Sequence, residues 1–140
     1  MATTLLAKLR TAAALDATLG PLLGPTPFRW YDQQLNEGTS FPAVAAFVVS
    51  TVPQYATNAR CITARYRVQF NVFDPNPQKA RQVATAIAAF LDSFNAFSSG
   101  SPVTQQPNQV VNQRDGGVAQ TQPLTAMQII DAHIWNNETT

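Results

Sequence analysis

The stretch Ile62–Asp74, ITARYRVQFNVFD, constrains the fold more than any other part of the chain. Ile62, Ala64, Tyr66, Val68, Phe70 and Val72 are apolar at every second position. Thr63, Arg65, Arg67, Gln69 and Asn71 alternate with them, and Phe73 alone breaks the polar set. Successive side chains of a strand point to opposite faces, so this pattern predicts a half-buried antiparallel strand. One face needs a cover, and the other is left for solvent or a partner. Thirteen residues at ~3.3 Å each run about 43 Å, longer than the usual strand. The strand is therefore expected to bend, or to project as half of a hairpin.

The cover follows directly in the chain. DPNP ends the strand, Asn76 is placed to cap a helix, and Pro77 suits the first helical position. The helix is expected to run to about Asn95. Ala80, Val83, Ala84, Ile87, Leu91 and Phe94 fall on one face, while Lys79, Arg81, Gln82, Thr85 and Asp92 mostly fall on the other. A second helix is predicted over Thr4–Leu19, with Leu5, Leu9, Ala12 and Leu19 near one side, Thr3 or Thr4 as cap, and Gly20-Pro21 as its stop.

Between these helices, Phe28–Tyr31 (FRWY) reads as a short edge strand. Ala43–Thr51 is apolar on both alternations, which fits a strand covered on both sides or a buried helix. Pro53 and its flanks favour the strand. VPQYATNAR then reads as a hairpin connection. Beyond the second helix lies a polar, turn-rich segment, residues 98–123, expected to be partly flexible. A structureless run of that length is unusual, so a short strand is placed at Gln109–Arg114, ended by DGG. The last strand is predicted from Leu124 to about Trp135. Its alternation slips near Ile129-Ile130, which implies a bulge or cover on both faces. NNETT reads as a frayed tail. These elements give an α+β fold: one domain over 1–140, with a single mixed, mainly antiparallel sheet and two helices on one face, in α-β-β-β-α-β-β order.

Charge is sparse. Asp, Glu, Lys and Arg make up 12% of the chain, against about 25% in ordinary domains. The net charge is +1, so no electrostatic footprint for nucleic acid is present. A surface low in charge costs less to desolvate against another protein. Lys8, Arg10 and Asp16 interrupt any signal-peptide core, and no window approaches the ~20 apolar residues of a membrane span. The expectation is a soluble protein with no membrane partner.

No catalytic, cofactor or metal site is expected. His133 is the sole histidine and Cys61 the sole cysteine. Neither has the convergent partners that a metal or nucleophile site needs, and Cys61 is expected to be a half-buried strand residue. The carboxylates show no paired motif. Asp115-Gly116-Gly117 reads as a turn rather than a phosphate cradle. Arg65 and Arg67 share a strand face, with Arg60 nearby. That face is either simply solvated or a contact surface, and it carries too few arginines for a nucleic-acid site.

The order of the parts resembles the tail terminator, or tail-completion, proteins of long-tailed phages and gene transfer agents. The resemblance runs through LLAKLRTAAALDATLG, FPAVAAFVV, RYRVQFNVFDPNPQKARQVATAIAAFLDSF and RDGG followed by QIIDAHIW. It implies a virion protein without enzymatic activity, assembled in the bacterial host cytoplasm and located at the head-proximal end of the tail. It also implies a homo-oligomer, a hexameric ring that caps the tube, stops its polymerisation and offers a surface for head–tail joining. Its partners would then be the tail tube protein and the head–tail connector, with DNA only as passing cargo. The expected contacts are Arg65, Arg67, Gln69 and Asn71 on the polar strand face, Arg114, the apolar edge at Val48 and Val49, and segment 98–123. Two alternatives remain at this point. One is another connector or neck completion protein, and the other is a ferredoxin-like ligand-binding domain or enzyme.

Overall fold

The computed structural model describes residues 2–24, 28–32, 41–55, 60–94, 109–119 and 125–137. The elements are α1 (Ala2–Leu15), α2 (Leu19–Leu23), β1 (Trp30–Asp32), β2 (Ala43–Tyr55), β3 (Arg60–Asp74), α3 (Pro77–Ser93), β4 (Gln109–Ala119) and β5 (Thr125–Asn137). The strands form one sheet in the order β1-β2-β3-β5-β4. Only the β1–β2 pair is parallel, so the sheet is mixed and mainly antiparallel, as its sequence pattern implies.

β3 carries the alternation into three dimensions. Tyr66, Val68, Phe70 and Val72 are buried on one face, and Ile130, Ala132 and Ile134 of β5 lie beside them. α3 covers this part of the sheet with Ala80, Val83, Ala84, Ile87 and Leu91, all fully buried. α1 covers β1 and β2 with Leu5, Leu9 and Ala13. Trp30 fills the seam between the two covers, edge-on to Phe70 with ring centroids 5.6 Å apart. All the described helices therefore sit on one face of the sheet, and among the described residues the other face carries none.

α3 starts where the sequence places its start. The Asn76 side chain accepts a hydrogen bond from Gln78 N at 3.0 Å, and Pro77 takes the first position, where no intrahelical donor is needed. The first helix differs from expectation. It ends at Leu15, and a separate five-residue helix, α2, holds Gly20 and Pro21 inside it. The break is made by Asp16, whose Oδ2 accepts from Thr18 N at 3.0 Å and Leu19 N at 2.9 Å. Pro21 is tolerated because it falls in the first turn of α2. The observed order is thus α-α-β-β-β-α-β-β.

Two arginines latch the edge of the sheet to the helices. Arg10 Nε donates to Trp30 O at 3.1 Å, and its guanidinium lies over the Phe28 ring. Arg29 Nε donates to Pro42 O at 2.7 Å and its NH2 to Leu22 O at 3.2 Å.

The strands also run further than the sequence indicates. β2 continues through Val52, Pro53 and Gln54 to Tyr55, residues whose composition predicts a hairpin connection. Its cover on both sides holds from Ala43 to Ala46 and fails beyond, where Val49 and Val52 are exposed. β3 is half of an antiparallel hairpin with β2, and β5 pairs with its other edge from Thr63 to Asp74. The irregularity falls in β2, with register shifts at Val48/Ser50 and Pro53/Tyr55, and such bulges bend and twist the strand that carries them.

β4 does not stop at DGG. It runs on to Ala119 with a register shift between Asp115 and Gly117. Gly117 has φ +84, a backbone region glycine adopts freely, and a Cβ on Gly116 would meet Met127 Cε at 2.7 Å. The pair therefore makes a bulge rather than an end. The slip at Ile129-Ile130 is not a bulge in β5. β5 lies inside the sheet, its own numbering runs unbroken against β3, and Ile130 and Asp131 are both buried on opposite faces. The Cys61 side chain, the tail from Glu138, and residues 98–108 and 120–123 of the polar segment lie outside the described residues.

Candidate functional site

The register fixes what the helix-free face presents, because cross-strand partners share a face. Arg65 pairs with Trp135, Arg67 with His133, Gln69 with Asp131, and Asn71 with Ile129. From the far side of β5, Gln109 comes opposite His133, Asn112 opposite Asp131 and Arg114 opposite Ile129. Arg65, Arg67, Gln69, Asn71 and Arg114 are therefore brought onto one surface. Gln69 Nε2 donates to Asn71 Oδ1 at 2.9 Å along β3.

The centre of this surface is Asp131, which was not among the contacts expected from the sequence. Its side chain is 2% exposed, although it lies on the face without helices. Arg114 NH1 donates to its Oδ2 at 2.7 Å, and Arg67 NH2 lies 3.7 Å from the same oxygen. The first contact is a charge-assisted hydrogen bond, and the second is an ion pair without one. Asp131 Oδ1 is buried with no hydrogen-bond partner among the described residues. The arginines themselves remain 47% and 43% exposed for Arg67 and Arg114. One buried carboxylate thus holds two guanidinium groups from strands on either side of it. The one available signal was an acidic residue inside the apolar run of IIDAHIW, where a charge is costly unless paired.

His133 lies beside this cluster. Burial, helped by Arg65 and then Arg67, holds its pKa below the ordinary value against the opposing pull of Asp131. The imidazole is accordingly neutral at pH 7, so the positive charge of the face comes from its arginines. A separate ion pair closes the other face near the start of α3. Gln128 Nε2 donates to Asp115 Oδ1, and Arg81 Nε lies 3.6 Å from that oxygen. The Gln128 hydrogen bond and then Arg81 hold the Asp115 carboxyl below its usual range.

The valines expected at an apolar edge separate. Val48 is partly buried against the core on the helix-covered face. Val49 is passed over by the register shift and is 44% exposed. Among the described residues, no group of three His, Cys, Asp or Glu side chains could hold a metal ion, and no helix is long and apolar enough to cross a membrane.

A sheet with a helical cover on one side and a bare face of arginines, amides and partly exposed apolar groups on the other is a scaffold for contacts. The comparisons give the class, a structural assembly protein of phage tails. A family model for tail completion protein gp17 matches residues 3–129, and the chain belongs to that family. The family supports a structural role in phage tail assembly. Among solved structures, the chain is similar to one from the virion of a native gene transfer agent particle. The TM-score is 0.68 at 13% identity, covering 94% of this chain and 93% of that one. At that identity the likeness is one of fold. No curated protein matches the chain.

Proposed function

We propose that this protein is a non-enzymatic tail terminator. It closes into a hexameric ring on the head-proximal end of the tail tube, stops tube polymerisation and presents a surface to the head–tail connector. The observation that carries this reading is the family match over residues 3–129. The built surface supports it. A ring is heterologous, so each subunit needs two different patches, and this chain has two unlike faces. The helix-free face, with Arg65, Arg67, Gln69, Asn71 and Arg114, serves as a subunit or partner contact. The exposed Val49 at the bulge of β2 and the segment 98–123 complete the contact region. The chain works as an oligomer in the particle, assembled in the host cytoplasm, with DNA passing through and no membrane involved.

Electron microscopy of particles made without this protein tests the reading. Without a stop signal, tubes should grow past normal length and fail to join heads. Tails of normal length that still attach to heads would refute a terminator. Tails of normal length on heads that leak DNA would assign the protein to the neck instead.

A further inference from the structure

The helix-free face is arranged to receive a carboxylate, and we propose that its occupant is an acidic segment of a different protein in the particle. The inference rests on the reading of that face as a contact surface and adds the chemistry of what meets it. Arg67 and Arg114 are held by the single oxygen Asp131 Oδ2. Each guanidinium carries five N–H donors in a planar fork. One terminal nitrogen of each is turned to Asp131, and both side chains remain nearly half exposed. Arg65 lies two residues along the same strand face. Two guanidinium groups therefore flank one buried carboxylate, a third stands further along the same face opposite Trp135, and His133 adds no charge at neutral pH. The net positive charge that remains suits a partner carboxylate, which a guanidinium fork can take through two parallel hydrogen bonds.

Two other occupants fit less well. A second copy of this chain would have to supply the acid. Among the described residues, Asp16 caps α2, Asp74 Oδ2 accepts from Asn76 N, Asp115 is engaged by Gln128 and Arg81, and Asp131 is the buried anchor itself. Asp32 and Asp92 are left, one on β1 and one on α3, and they form no acidic patch. DNA would meet three arginines, too few for a backbone site. It would also meet the partly exposed Phe47, Phe73, Met127, Ile129 and Trp135 interleaved with them, a mixture that suits a protein surface better.

The test uses the full-length protein and an acetylated hexaglutamate peptide, followed by NMR on the arginine Nε–Hε resonances. Saturable shifts at Arg67 and Arg114 are expected. The double variant Arg67→Lys/Arg114→Lys keeps the charge and loses the fork, and should bind about fivefold or more weakly. Asp131→Asn makes the face more positive but releases its anchor, and should also bind more weakly. Equal binding by the lysine variant, or tighter binding by Asp131→Asn in a protein that still melts cooperatively, would reduce the site to general charge attraction and overturn the proposal. So would tighter binding of a DNA duplex at these resonances, or the same shifts on concentrating the protein alone. None of these outcomes depends on tail length in particles lacking the protein.

Discussion

The two faces of β3 are built from alternate residues of one strand, and they are stabilised by different means. On the helix-covered face, Tyr66, Val68, Phe70 and Val72 are at most 1% exposed and touch other apolar side chains. On the other, Arg65, Arg67, Gln69 and Asn71 stay partly open, and the buried member of that surface is the charged Asp131 of β5. The first face is held by area removed from water, which has no direction. The second is held by a few directed contacts to a single oxygen. The contrast separates the residues that keep the fold from those proposed as contacts.

Substitutions can break or sharpen this comparison. The largest expected effect lies on the covered face. Phe70→Ala leaves a cavity beside Trp30 and should cost about 3–5 kcal/mol in chemical denaturation. Gln69→Ala, the next residue along, should cost less than about 1 kcal/mol. Similar losses from both would abolish the distinction between the faces.

Next is the buried carboxylate. Arg114→Ala removes its hydrogen bond to Asp131 and leaves, among the described residues, the weaker pair with Arg67. An unpaired buried charge is costly, but water can reach the site of a half-exposed arginine. The expected loss is therefore about 1–3 kcal/mol, and Arg65→Ala should lose much less. A loss in Arg114→Ala no larger than in Arg65→Ala would show that Asp131 does not depend on its partner. The smallest effect concerns His133. Its folded pKa lies below the unfolded value, so the unfolded chain binds the proton first as pH falls. Its contribution to stability is present above the unfolded value of about 6.5 and is lost as pH falls below it, down to the folded pKa. His133→Gln should therefore flatten the decline in melting temperature on acidification from neutral pH. An unchanged decline would contradict the burial assigned to the ring.

The sequence disclosed what depends on local pattern. The alternation of β3, the Asn76 cap, the Pro77 start and the apolar face of α3 are each written within a few residues. What it concealed depends on strands distant in sequence. DGG has the composition of a turn, and only its pairing with β5, which shifts register between Asp115 and Gly117, shows a bulge within β4. Gly20-Pro21 has the composition of a stop, and only the Asp16 cap shows that a new helix begins before it. The polar face of Arg65, Arg67, Gln69 and Asn71 was legible from β3 alone. Its centre was not, because Asp131 acquires its meaning from Arg114, 17 residues away on another strand.

On the proposed function, the helix-free face performs the assembly work while the covered face maintains the fold. This division is tested most directly by supplying Arg67→Glu/Arg114→Glu to particles lacking the protein and measuring tail length and head attachment by electron microscopy. The arginine variant should fold but fail to restore normal tails joined to heads, whereas Gln82→Ala on the solvent side of α3 restores them. Normal tails joined to heads in the arginine variant would contradict it.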